Sequence, residues 1–294
     1  MRSLLFVPAD SARKFDKGLG SGADALILDL EDSIAPERKA QARGIAGQLL
    51  QQARTTSDRP RLYVRVNGLD TGLSDDDLDA VMPQAPDGIL LPKAEGGASI
   101  AHLDAKLTAR EAIYGLPEGK TAILALTTET AAALFRAGTY GGASERLAGL
   151  TWGAEDLSAA LGAETNRDAQ GRFTEPFQFA RTLCLAAAAA AGVPAMDTVY
   201  VDFRNDAGLR REAEEARRDG FTAKFAIHPA QVATINDVFT PSPAALAQAR
   251  SIIAAFAAQP QAGTIGIDGV MYDRPHLARA ERLLARAKGA ASKA

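Results

Sequence analysis

The chain is poor in the side chains that build cross-linked or soft-metal sites. Of its 294 residues only Cys184 is a cysteine, so no internal disulfide can form and a zinc–thiolate cluster is excluded. The three histidines, His102, His228 and His276, are scattered and do not resemble a zinc set. Positive charge is not in excess either. Lys and Arg total 33 against 36 Asp and Glu, a formal charge of −3, and no basic stripe offers itself to a nucleic acid. Long apolar runs are missing too. The opening Met1-Arg2-Ser3-Leu4-Leu5-Phe6-Val7-Pro8 is too short for a signal peptide, and the alanine-rich stretch 183–193 falls far below membrane-spanning length. The expectation is a cytoplasmic protein whose partners are small molecules, with no nucleic acid and no membrane.

What is present is an alternation of short β-branched or leucine-rich runs with longer helical ones, the pattern of βα units around a parallel sheet. Strands are expected at 3–7, 25–30, 62–66, 88–91, 121–126, 147–150, 197–201 and 222–226, with helices at 36–54, 128–137, 176–191 and 208–219. Eight strands over this length suit a (β/α)8 TIM barrel of the α/β class. An open doubly wound sheet is the competitor, because counting strands does not show closure. No G-x-G-x-x-G or P-loop sequence supports its nucleotide-binding version. After Pro241-Ser242-Pro243 the character changes: a helix at 244–258, a glycine-rich stretch with Asp268-Gly269, then a basic helix from about Pro275. The expected division is a barrel over 1–240 and a C-terminal helical extension over 241–294, packing on the barrel mouth or on a neighbouring subunit. Residues 289–294 are expected to be disordered.

In such a barrel the reactive groups gather at the carboxyl ends of the strands. Five successive expected ends carry ionisable residues: Asp29-Leu30-Glu31-Asp32, Arg65-Val66-Asn67, Pro92-Lys93, Thr128-Glu129-Thr130 and Gly153-Ala154-Glu155-Asp156. Glu129 and Asp156 each open an expected helix, where an acid favours the helix dipole. Their spacing of 27 residues, about one βα unit, also puts them on adjacent strand ends facing one site. Two carboxylates without clustered His or Cys suit Mg²⁺. Asp29 and Glu31, two apart, point the same way on an extended chain. They could hold metal-bound waters, orient Arg65, or simply form a buried ion pair with Arg65 or Lys93. Arg65 would offer a fixed, bidentate cation to a carboxylate or a developing alkoxide. Trp152 reads as core or pocket wall. Asp273, before Arg274-Pro275, reads locally as a helix N-cap. Arg13, Lys14 and Lys17 read as a solvated basic face that could also meet phosphates.

The segments 2–8, Ala25-Leu26-Ile27-Leu28-Asp29-Leu30-Glu31-Asp32-Ser33, Arg65-Val66-Asn67, Leu91-Pro92-Lys93 and Gly153-Ala154-Glu155-Asp156-Leu157 resemble citrate lyase β-subunit-like proteins. These form the acyl-CoA lyase branch of the HpcH/HpaI aldolase and citrate lyase family. The resemblance runs on through Ile227-His228-Pro229 to Met271-Tyr272-Asp273-Arg274-Pro275-His276. It implies a (β/α)8 barrel assembling as a homotrimer or hexamer, Mg²⁺ on Glu129 and Asp156, and Arg65 on the 2-oxo acid. Gly153, Ala154 and Glu155 would line the substrate, with Asp29, Glu31 and Lys93 supporting the metal carboxylates. Asp273 would act as acid–base in a neighbouring subunit, reversing the local N-cap preference, and Arg13 and Lys17 would lie near coenzyme A phosphates. One departure is Thr127-Thr128 before Glu129, where many relatives carry a bulkier aliphatic residue. The implied activity is Mg²⁺-dependent, reversible Claisen cleavage of a 3-hydroxyacyl-CoA (malyl-, citramalyl- or citryl-CoA). The alternatives are a class II 2-oxo-acid aldolase without CoA, the β subunit of a carrier-protein-dependent citrate lyase, and a catalytically silent scaffold.

Overall fold

A computed structural model describes residues 1–56 and 58–291. The chain divides into two compact units, Met1–Asn236 and a second from Asp237 onward.

In the first unit every strand runs parallel to its neighbours. The strands are β1 (Ser3–Pro8), β2 (Ala25–Asp29), β3 (Arg61–Arg65), β4 (Gly88–Leu91), β5 (Ala122–Thr127), β6 (Leu147–Trp152), β7 (Met196–Asp197) and β8 (Ala223–Ala226). They lie in the order β6-β5-β4-β3-β2-β1-β8-β7. An isolated parallel bridge, Leu150 to Ala195, joins the two ends, with Leu150 N–H donating to the Pro194 carbonyl at 3.0 Å. That bridge turns the sheet into a barrel and removes the open-sheet alternative. Helices α1 (Ala12–Leu19), α2 (Lys39–Ala53), α3 (Ser74–Val81), α4 (Gly97–Tyr114), α5 (Ala131–Arg136), α6 (Ala154–Leu161), α7 (Glu175–Ala191) and α8 (Asp206–Asp219) fall between strands, and α9 (Val232–Phe239) follows the last one.

Alternation along the strands sends one set of side chains inward. Leu4, Ile27, Tyr63, Leu90, Leu124 and Phe225 fill the barrel interior. The seventh strand departs from expectation: it is Met196–Asp197 rather than 197–201. Thr198-Val199-Tyr200-Val201 has β-branched residues, but strand propensity needs a partner to act on. Here only Met196 and Asp197 pair with β8, and Val199 packs on the barrel core from outside the sheet. The helix expected from residue 128 starts instead at Ala131, because Thr128 takes a left-handed φ of 57°.

The second unit carries helix α10 (Pro243–Ala258), strands β9 (Thr264–Ile267) and β10 (Val270–Asp273), and helix α11 (Arg274–Ala291). The extension is thus not purely helical. Asp268 and Gly269 both have positive φ, 49° and 79°, the requirement of a two-residue hairpin turn. Ala249, Ile252, Phe256, Ile265 and Ala280 form this unit's own core. Helix α11 continues through residue 291, so the expected disorder does not begin at 289; the rest of that expectation, 292–294, lies outside the described residues.

Candidate active site

Asp29 ends β2 beside Arg65, the last residue of β3, in direct register. Arg65 Nε and Nη2 donate to the two Asp29 carboxylate oxygens at 2.7 and 2.8 Å, a bidentate pair. Asp29 also accepts from the backbone N–H groups of Glu31 and Ser33. Burial opposes its ionisation, but the Arg65 hydrogen bonds overcome this and hold its carboxyl below the usual range. Arg65 is thereby locked in orientation. It lies 4.9 Å above the Phe6 ring, a cation–π contact the strand pattern did not flag. Its Nη1 keeps the longer contacts, 3.0 Å to Glu31 and 3.4 Å to Asp32.

Lys93 follows β4 in a left-handed conformation, φ 50°, unusual for a residue with a side chain. Its backbone N–H donates to Glu129 Oε2 at 2.6 Å, and its ammonium to Glu31 Oε1 at 2.5 Å. The same ammonium lies 3.2 Å from Asp156 Oδ1. Burial pushes the Glu31 carboxyl up against the pull of Arg65 and Lys93.

Glu129 stands two residues past the end of β5, only 3% exposed. The helix cap is supplied by Thr130, whose side chain accepts from Ala133 N–H, so Glu129 is not a capping acid. Burial, opposed by the Lys93 N–H and reinforced by Asp156 and Glu31, pushes its carboxyl up to about 8. Gly153 is dictated by space: a Cβ there would stand 2.6 Å from Glu129 Oε1. Gly153 then starts α6, whose first turn holds Glu155 and Asp156, so Asp156 sits both at a helix start and on the pocket wall. Glu155 also lines the pocket and accepts from the Asn166 side-chain amide.

These groups meet in a cavity of about 410 Å³ at the carboxyl ends of the strands. Its lining combines Asp29, Asp32, Arg65, Glu129 and Asp156 with the apolar Phe6, Leu126, Trp152, Val199, Phe225 and Ile227. Of these apolar residues the sequence reading names only Trp152, as core or pocket wall, and misses the rest. Inward alternation along β1 and β8 was the available signal for Phe6 and Phe225, whose rings lie 5.3 Å apart. Val199 lay inside a strand expected to continue. Arg13 and Lys17 stand exposed on α1, one turn apart, and do not line this cavity. Asp273, in the second unit, ends β10 before α11. Its carboxylate meets His276 Nδ1, accepts from the His276 backbone N–H, and is held below the usual range by the His276 hydrogen bond.

The donor set suits a hard cation. Among the described residues the cations that meet Asp29, Glu31, Asp32, Glu129 and Asp156 are Arg65 and Lys93, so acid exceeds base. Among the described residues no group of three or more His, Cys, Asp or Glu forms a ready cage. A pair of carboxylates with a buried, charge-crowded member fits an ion that keeps part of its shell as water and substrate oxygen, as Mg²⁺ does.

Known proteins share this architecture. The family model described as HpcH/HpaI aldolase/citrate lyase matches residues 2–229. A (3S)-malyl-CoA thioesterase of Cereibacter sphaeroides is 36% identical over 295 residues, covering 99% of this chain and 96% of its own length. Citrate lyase subunit beta of Leuconostoc mesenteroides subsp. cremoris is 34% identical over 286 residues, covering 96% and 92%. Among solved structures, CitE of Mycobacterium tuberculosis in complex with magnesium, acetoacetate and coenzyme A superposes with a TM-score of 0.77 at 33% identity, covering 98% of both chains. The barrel is therefore that of a known group, and the chain belongs to the HpcH/HpaI aldolase/citrate lyase family of carbon–carbon lyases.

Proposed function

We propose that the protein is a Mg²⁺-dependent acyl-CoA lyase that cleaves a 3-hydroxyacyl-CoA reversibly to an acyl-CoA and a 2-oxo acid. The observation that carries this reading is one pocket lined by a carboxylate pair, Glu129 and Asp156, and by an arginine fixed by Asp29. Glu129 and Asp156 would hold the ion. When bound, Mg²⁺ supplies Lewis acidity to the carboxylate and hydroxyl oxygens of the substrate. Arg65, already oriented, stabilises negative charge as the hydroxyl oxygen becomes an alkoxide and then the oxo group of the product. Such preorganised charge contributes most when no reorganisation is needed during the reaction. The first turn of α6, with Gly153, Ala154 and Glu155, offers the positive end of a helix to the substrate carboxylate. The hydroxyl proton leaves to solvent, and Asp273 of a neighbouring copy, in a trimer or hexamer, would take up an equivalent proton from solvent and pass it to the departing thioester enolate, with His276 holding its carboxylate. Arg13 and Lys17 would meet the coenzyme A phosphates from α1. One relative is named for a malyl-CoA substrate and the Mycobacterium tuberculosis CitE structure holds magnesium and coenzyme A, which supports this reading over an aldolase without CoA.

The test offers malyl-, citramalyl- and citryl-CoA with Mg²⁺ and follows 2-oxo acid and free CoA thiol in parallel. Oxo acid without thiol is expected. Thiol without oxo acid would turn the assignment to thioester hydrolysis, and neither product from any of the three would sink the proposal.

A further inference from the structure

Lys93 touches three of the acids around the proposed ion site, Glu129, Glu31 and Asp156, and comes within 3.9 Å of a fourth, Asp32. Its backbone N–H fixes Glu129, and its ammonium bridges Glu31 and Asp156. The two ammonium contacts are unequal. The one to Glu31 is a short, directed hydrogen bond of 2.5 Å to a buried carboxylate. The one to Asp156 is a 3.2 Å ion pair without hydrogen-bond geometry, to a side chain 30% exposed on the pocket wall. An ammonium anchored on one side and loosely seated on the other can leave the loose partner without leaving the site. The left-handed φ of 50° lets one residue present its N–H to Glu129 while its side chain reaches the other two acids.

From this geometry we infer that Lys93 is a built-in counter-cation that competes with the divalent ion for Asp156. The inference rests on Glu129 and Asp156 being the ion's ligands, and it adds a positioning residue that sets how firmly they take it. With the site empty of metal the ammonium neutralises Asp156. Ion binding must separate that pair while Lys93 stays hydrogen-bonded to Glu31. The free protein therefore holds the ion less tightly than its acid-rich wall would allow. Further oxygen donors from the 2-oxo acid then make up the difference, so ion and substrate load together.

The experiment is calorimetric titration of Mg²⁺ and Mn²⁺ into the full-length protein, wild type and Lys93→Met, Lys93→Gln and Lys93→Arg, without substrate. Removing a unit charge a few ångströms from the site should tighten binding by about tenfold in both neutral variants. Lys93→Arg, which keeps the charge, should stay within about threefold of wild type. A merely structural lysine would give weaker binding on removal, because Glu31 and Asp156 would lose the cation between them. Measurable wild-type binding with equal or weaker binding in both neutral variants overturns this inference and leaves the ion ligands standing. No binding in any of the four proteins, in titrations where thermal melting shows all of them folded, removes the ion-site reading and this inference with it.

Discussion

Two groups of buried charges lie in the same barrel, and they are built on opposite plans. The first surrounds the pocket, where five carboxylates face Arg65 and Lys93 and one acid, Glu129, is pushed up to about 8 chiefly by burial. The second joins β6, β7 and β8 to the flanking helices. Lys224, fully buried, donates to Asp197 at 2.7 Å and Glu212 at 2.9 Å. Arg181 reaches Asp197 and Asp219, and Arg167 reaches Glu212. Trp152 Nε1 completes the second group with a 2.9 Å bond to Asp197. Here three cations meet three acids, and burial is outweighed by partners: Asp197 is held below the usual carboxylate range by Lys224 and Arg181. Buried charges that only support a fold are paired, because an unpaired one costs several kcal/mol. Where acid exceeds base beside a cavity, the missing positive charge comes from a proton, as on Glu129, or from a bound cation.

The comparison breaks first, and most visibly, at the carboxylate pair. Asp156→Ala should lower turnover on the order of a thousandfold and abolish tight Mg²⁺ uptake, with little change in thermal stability. Normal uptake measured by calorimetry would remove Asp156 from the ion's ligands. Lys224→Met should do the reverse. It takes from Asp197 the buried cation nearest to it, costing about 3–5 kcal/mol in denaturant unfolding, while ion binding in the folded protein stays near wild type. A loss under about 1 kcal/mol would mean the second group is not the structural one.

Gly153→Ala is a smaller perturbation aimed at the seam between them. The new methyl meets Glu129 Oε1 and must displace it. A fall in turnover of about ten- to a hundredfold is expected, with weakened Mg²⁺ affinity and an almost unchanged melting temperature. The smallest effect concerns pH. Between about 4.5 and about 8 the folded protein keeps a proton on Glu129 that the unfolded chain has released. Raising pH through that window therefore destabilises the metal-free fold. Melting of the chelator-treated protein should fall by a few degrees across this range, and Glu129→Gln or added Mg²⁺ should flatten the slope. A melting temperature that rises with pH in the wild type and not in Glu129→Gln would contradict the buried, charge-crowded state of this acid.

Much of the site was visible before any coordinates, for a local reason. Acids and bases placed just after apolar runs mark strand ends, and a barrel gathers strand ends at one rim. Asp29, Arg65, Lys93, Glu129 and Asp156 were found this way. Their pairing was not. Glu31 and Lys93 are 62 residues apart, and Arg65 and Asp29 are 36 apart. The helix expected from residue 128 begins later for a reason that no helix propensity carries: Thr128 turns left-handed and Thr130 takes the cap, so Glu129 precedes the helix rather than opening it. The hairpin of the second unit was within reach, since Asp268-Gly269 is a two-residue turn signal, but the short flanking runs read as irregular chain.

By itself the sequence determined the βα alternation, the family and which residues stand at the strand ends, because periodicity and motif spacing act over a few residues at a time. Only the tertiary structure decided that a single bridge closes the barrel and that Val199 lies beyond its strand. It also decided that one lysine touches three carboxylates while another is sealed away with two. Those outcomes depend on which distant charges meet and how much water remains between them, and that is set by the closed fold rather than by any local run of residues.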